Sequence, residues 1–466
     1  MEVTDRVHTF RQFEDYFRCP EGYASFQWQA APSGKSGFFR FGPEAVCYGS
    51  VSSGLPRLSA HQALHDAQQF VRVDSASVYL SFSPAEVIDN LRLEKYPSID
   101  GKDDGRSAAH SPWRDAYYSL RDVIPIALRK RLQRAYFRGW DRIPFPRWPV
   151  DYTVGSLLDR LVWWCLQARG EDRMPFIWFW PDAAPFCILM THDVETQAGL
   201  DFCDALMDID DSYGVKSAFQ IIPEERYAAK ASWMEAVRKR GFEINVHDLN
   251  HDGRLFDSRA TFLERAAKIN RYVREFGARG FRSGALYRNL DWYDAFEFSY
   301  DLSVPNAGQL EAQRGGCCTV MPYFIGKILE MPLTTTQDYS LFNVLRDYSI
   351  DHWQKQIELI ASRSGLASFI VHPDYVLQDR ARKTYVALLE HLSRLRAKLG
   401  PWLTVPGEVD RWWRDRSQSR LVREGSEWRI EGPAKDRARL AYAERDGERV
   451  TFRVVPSTHS GGGVRA

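Results

Sequence analysis

Two stretches of the sequence carry residue types and spacings that suit bond-breaking chemistry. In Thr191-His192-Asp193-Val194-Glu195 an apolar run, Phe186 to Met190, ends in a histidine and two carboxylates. In His247-Asp248-Leu249-Asn250-His251 two histidines stand four residues apart. On a helical turn or in a tight loop that spacing brings two imidazoles to one side, within reach of a single ion. Alone, the pair fits surface or core histidines equally well. A divalent cation bound by two neutral imidazoles and one carboxylate, with positions open to water, makes a hydrolytic site, because the ion acidifies water and polarises a carbonyl. A second carboxylate beside it can act as base toward that water. Two acids one residue apart, Asp193 and Glu195, therefore make sense as one ligand and one base; the plainer alternative is a helix N-cap and a first-turn acid before "TQAGLDFCDAL".

The elements that must position these residues can be read from about 183 to 414. Apolar runs of strand length ("FCILMTHD", "KSAFQIIP", "GFEINVHD", "GFRSGA", "FSYDLSVP", "KILEMPLT", "LASFIVHP", "WLTVPGE") alternate with stretches of mostly helical periodicity. The alternation predicts parallel strands buried on both faces, and seven or eight of them fit a closed or nearly closed β/α barrel, whose chemistry sits at the C-terminal strand ends. Both histidine and carboxylate groups fall at such ends.

The ordered set of motifs over 186–414 resembles a polysaccharide deacetylase domain of the carbohydrate esterase family 4 type. That family has T-F-D-D, H-[ST]-x-x-H, an R-x-P segment, a Y-D-x-S-like strand and L-x-H in this order. The chain offers Thr191-His192-Asp193-Val194-Glu195, His247 to His251, Phe281-Arg282-Ser283-Gly284, Tyr300-Asp301-Leu302-Ser303 and Ile370-Val371-His372-Pro373. The resemblance implies a distorted (β/α) barrel of seven or eight strands in the α/β class. It also implies a deacetylase that removes an acetyl group from an N-acetylated sugar. By position, Asp193 is the catalytic base, Arg282 orients it, and His372 protonates the leaving amine. His247 and His251 are metal ligands. The family's second aspartate falls at Val194; on the D-x-D pattern of some members Glu195 supplies the metal carboxylate. Asp248 stands where the pattern has Ser or Thr, and Ser283-Gly284 where it has x-Pro. The implied cofactor is one divalent ion, zinc first, with cobalt, nickel, manganese or iron as alternatives. His192 has no family role and is expected beside the site or facing substrate.

The remaining sequence supplies context. Lys and Arg number 62 against 61 Asp and Glu, a net charge of +1, which gives no global sign of a nucleic-acid partner. Seven cysteines without regular spacing suit reduced thiols, and "MEVTDRVHTFRQFEDYFRCPEGY" lacks the basic start and apolar run of a signal peptide. A cytoplasmic protein is expected. Residues 1–112 read as an N-terminal α+β region, with "HQALHDAQQFV" helical. Residues 113–182 read as a basic, aromatic, amphipathic helical connector, 183–415 as the barrel, and 416–466 as a small β module with a disordered tail. Within 113–149 nine Lys/Arg face three Asp. A basic helix there is either solvated on its charged face or lies peripherally on an anionic membrane, at its inner face. The expected function is deacetylation of a polysaccharide, or of a lipid- or nucleotide-linked precursor, in surface polysaccharide or glycolipid biosynthesis. The alternatives are hydrolysis of another non-peptide C–N amide, or a non-catalytic sugar-binding scaffold.

Overall fold

A computed structural model describes residues 10–28, 36–74, 77–97, 131 and 134–456. In the N-terminal region β1 (Phe26–Trp28), β4 (Arg72–Asp74) and β5 (Ser77–Leu80) form one sheet, and β2 (Ser36–Phe41) pairs with β3 (Ala45–Ser50). The helix expected over 61–71 does not form. The Arg40 N–H donates to His65 O, and Arg40 bridges Asp66, so this backbone runs along β2 and leaves only a 3-10 turn at Ala67–Phe70. Of the basic stretch 113–149, only Arg131 and residues 134–149 lie among the described residues; the rest lies outside them.

The helix Thr153–Arg169 ends at Gly170, φ 62°, a left-handed cap that a glycine adopts without a Cβ penalty. After it, β6 (Arg173–Ile177) leads into a nine-stranded, mostly parallel sheet. Its strands are β7 (Cys187–Val194), β8 (Ser217–Ile221), β9 (Glu243–His247), β10 (Gly280–Arg282), β11 (Tyr300–Asp301), β12 (Tyr323–Ile325), β13 (Ile328–Glu330), β14 (Leu366–Ile370) and β15 (Trp402–Thr404). All eight runs read as strands from sequence contain one of them, and β12, antiparallel to β13, is the addition. The order is β12-β13-β11-β10-β9-β8-β7-β14, with β15 also paired to β7. Every residue of β7 is buried, which explains why its sequence is a continuous apolar run instead of an alternating one. Helices Gln197–Ser212, Ala231–Lys239, Arg259–Glu275, Asp351–Ala361 and Asp379–Leu399 alternate with the strands. Between β10 and β13 the described connections are 3-10 turns and loops. One loop turns at Gly315 and Gly316, where a Cβ on Gly316 would lie 2.3 Å from the Asn306 carbonyl oxygen.

The tail supplies β16 (Arg420–Glu424), β17 (Glu427–Glu431), β18 (Leu440–Asp446) and β19 (Arg449–Val454), the antiparallel strands expected there. Strand β18 lies between β19 and β6, so the tail and the segment before β7 share a sheet. Buried Arg416 donates to the carbonyls of Tyr16, Phe17, Ile177 and Trp178, tying the N-terminal helix Arg11–Phe17, β6 and the helix Pro406–Ser417 together. All seven cysteines are buried and unpaired. Among the described residues no helix is long and apolar enough to cross a membrane.

Candidate metal and acid–base site

Parallel register decides which side chains meet. Asp193 pairs with Gln220 on β8, and Arg282 on β10 pairs with His247 on β9. Alternation along a strand then turns Thr191 and Asp193 to one face of β7 and His192 to the other. On the first face Arg282, fully buried, donates from Nη1 to Asp193 Oδ1 at 2.5 Å and to Thr191 Oγ1 at 2.9 Å, and from Nε to the Leu302 carbonyl at 3.0 Å. Asp193 Oδ2 faces His247 Nε2 at 3.8 Å. Glu195 Oε1 lies 3.1 Å from His251 Nε2 and 3.7 Å from His372 Nε2. The structure thus gathers all six residues singled out in the sequence: Asp193, Glu195, His247, His251, Arg282 and His372.

The histidine spacing is realised in a loop. His247 ends β9, and the chain turns through Asp248 and His251, both left-handed at φ 56°, a conformation that costs a side-chain-bearing residue energy and recurs at functional sites. The two imidazole centroids lie 4.9 Å apart. Arg226 braces the loop by donating to the carbonyls of Asn250 and His251. Asp248 and Gly284 fit each other: a Cβ on Gly284 would lie 2.4 Å from Asp248 Oδ2, so the aspartate fills space that a proline ring at 284 would need.

Electrostatics assign states to these groups. Burial pushes the Asp193 carboxyl up, but Arg282, then His247 and His372, outweigh it and hold Asp193 below the usual carboxylate range. Burial also raises Glu195, and His251, followed by His372 and His247, brings it well below that range. Both are therefore ionised at neutral pH. Burial lowers His247, which favours neutral imidazole. Its Nδ1 lies 3.0 Å from the Arg282 carbonyl, which can only accept, so Nδ1 carries the hydrogen and Nε2 offers a lone pair. That buried Nε2 has no hydrogen-bond partner. One donor atom each from Glu195, His247 and His251 lies within 4.8 Å of the others. An orphaned, buried imidazole nitrogen beside a second imidazole and a carboxylate fits a divalent ion in character and number of donors.

Sequence reasoning left Asp338 out. It grips His372 twice, Oδ1 to the ring Nδ1 at 2.6 Å and Oδ2 accepting the backbone N–H at 2.8 Å. Although burial works against it, Asp338, with Glu195 and Asp193, raises His372 to about 10, so the imidazolium persists at neutral pH. The available signal was the polar run "TTQD" after the strand run "KILEMPLT". His192 does not face the site. Its Nδ1 meets the Val371 carbonyl at 2.8 Å and its Nε2 meets Asp210 Oδ2 at 3.1 Å, with Tyr385 and Ser217 also donating to Asp210. The N-cap of helix Gln197–Ser212 is Thr196, so neither Asp193 nor Glu195 caps it.

No protein-family model and no curated protein matches the chain. Among solved structures it is similar to the PuuE allantoinase at 10% identity over 50% of this chain and 92% of that one, TM-score 0.41. A family 4 carbohydrate esterase from Streptomyces lividans matches at 12% identity over 47% and 92%, TM-score 0.31. The peptidoglycan deacetylase PdaC from Bacillus subtilis matches at 10% over 48% and 90%, TM-score 0.31. Each of these matches spans about half of this chain and about nine-tenths of the other.

Proposed function

We propose that this chain is a metal-dependent deacetylase that removes the acetyl group from an N-acetylated sugar. The substrate would be a polysaccharide or a lipid- or nucleotide-linked precursor in surface polysaccharide or glycolipid biosynthesis. The observation that carries this reading is the meeting, at one end of a parallel sheet, of a Glu195/His247/His251 donor set, an arginine-held carboxylate and an aspartate-held histidine. Glu195, His247 and His251 would hold a divalent ion, zinc being the best suited, whose Lewis acidity would polarise the acetyl carbonyl and acidify the attacking water. Asp193, ionised and fixed by Arg282, takes the water's proton. His372, held protonated by Asp338, gives the proton on Nε2 to the departing amine. Acetate and a free amino sugar leave.

The wider readings from sequence belong to the same proposal. A distorted barrel is supported by Thr335 N–H donating to Ser368 O at 3.3 Å and Thr334 Oγ1 to Leu366 O at 2.6 Å, which carry the chain after β13 to β14. The four-part division of the chain, a cytoplasmic location and a basic segment near the inner membrane face rest on composition and charge.

Acetate release tests the function. The zinc-loaded full chain is offered acetylated oligosaccharides, nucleotide-linked N-acetyl sugars and, for comparison, cyclic ureides. Acetate from the sugars supports the proposal; hydrolysis confined to the ureides replaces it with the other amidase reading, and no hydrolysis of either rejects it.

A further inference from the structure

The carboxylate of Glu195 stands in an unusual place for a ligand. Strand β7 ends at Val194, paired in register with Ile221, and the next helix begins at Gln197. Glu195 and Thr196 therefore form a two-residue connection beyond the last ladder position. A residue on the strand has its backbone fixed by two neighbours. A glutamate just past it needs another constraint, because its longer side chain also has more rotamer freedom to lose.

That constraint comes from a distant part of the chain. Asp374 is the second residue of the short helix Pro373–Val376 that follows His372. Its Oδ2 accepts the Glu195 backbone N–H at 3.2 Å, and its Oδ1 accepts the Thr196 hydroxyl. Thr196 Oγ1 in turn accepts the Gly199 N–H at 3.2 Å as the helix cap. The close fit accounts for Gly199, where a Cβ would lie 2.5 Å from Asp374 Oδ2. On the strand side, Tyr227 donates its hydroxyl hydrogen to the Val194 carbonyl at 2.6 Å and accepts the Ile222 N–H at 2.9 Å. The Val194–Glu195 peptide group is thus pinned at both its carbonyl and its N–H by side chains from outside the turn.

We propose that Asp374 is a positioning residue for Glu195: by gripping the Glu195 N–H and the Thr196 hydroxyl, it sets the Glu195 carboxylate against His247 and His251. The inference rests on the metal reading above and explains how a glutamate at 195 serves where position 194 holds valine. Because Asp374 lies two residues after His372, the same turn couples the placement of the metal carboxylate to that of the proton donor.

The test reads zinc affinity of the full chain by competition with a chelator of known affinity, alongside thermal unfolding. Asp374→Ala is expected to weaken zinc binding about 10–100-fold, the range found when groups that orient metal ligands are removed. Asp374→Asn keeps an acceptor oxygen for the Glu195 N–H and recovers most of the affinity. Gly199→Ala pushes the carboxylate aside and weakens binding in the same direction. In a Glu195→Gln background Asp374→Ala adds no further loss, whereas a residue that merely supports the fold would add its loss there too. If Asp374→Ala lacks a cooperative melt, Asp374→Asn and Gly199→Ala carry the comparison. Unchanged affinity in the variants, or equal losses in both backgrounds, overturns the inference and leaves the metal reading standing. A parent chain that binds no zinc overturns both.

Discussion

At the level of single residues, Asp193 does two things. It is the proposed base, and it is the counter-charge of fully buried Arg282. Asp193→Asn is therefore expected to lower turnover about 10²–10⁴-fold, the usual contribution of general base catalysis. It should also cost about 3–5 kcal/mol of stability, because Arg282 keeps its charge without a partner. Acetate release and denaturant unfolding measure the two separately, and turnover near that of the parent would remove Asp193 from the mechanism. Glu311 gives a pH prediction. Burial pushes its carboxyl up from 4.5 to about 7, although Gln337, Arg288 and His372 pull it down. Between those values the unfolded chain releases the proton and the folded chain keeps it, so native stability falls as pH rises through that window and the deficit is constant above it. Glutamine cannot titrate. Relative to the parent, Glu311→Gln should gain about 2–3 kcal/mol between roughly pH 5 and pH 8 by denaturant unfolding; a pH-independent difference would refute the assignment. That the six candidate residues come together was legible because each sits in an ordered motif at a strand end. Asp338 was not, since a lone aspartate in a polar loop gives no sign of which histidine it will meet.

At the level of elements, His192 joins four of them. Its ring bridges β7 to the carbonyl after β14 and to Asp210 on helix Gln197–Ser212, which Tyr385 on helix Asp379–Leu399 also grips. His192→Ala is predicted to cost about 1–3 kcal/mol by removing the buried hydrogen bonds to the Val371 carbonyl and Asp210. It should do so with zinc affinity little changed, since the ring points away from the site. A loss below about 1 kcal/mol, the scale of an ordinary hydrogen bond, would show that the bridge is not structural. The parallel strands were readable because burial on both faces leaves continuous apolar runs such as Cys187–Met190. The 3-10 turn at Ala67–Phe70 was not, because the contact that suppresses a helix there, Arg40 to His65 and Asp66, lies 25 residues away in sequence. Likewise β6 acquires strand character only from β18, more than 250 residues later.

At the level of the whole molecule, the tail, the N-terminal helix and β6 meet through Arg416 and the β19-β18-β6 sheet. Nothing in local composition signals that meeting. The proposed membrane contact also belongs at this scale. Replacing Arg129, Lys130, Arg131 and Arg134 by Glu should abolish co-sedimentation of the full chain with anionic liposomes, since each basic residue near such a surface contributes about 1 kcal/mol. Unchanged sedimentation, or none in the parent, removes the idea. The central claim is that the valine at 194 has not cost the chain its metal, because Glu195 completes the set with His247 and His251. Elemental analysis of the chain purified under metal-replete conditions, beside His247→Ala, tests it most directly. The account predicts about one divalent ion per chain, lost in the variant, as expected when one of three protein ligands is removed; an ion-free parent, or an ion retained in His247→Ala, would contradict it.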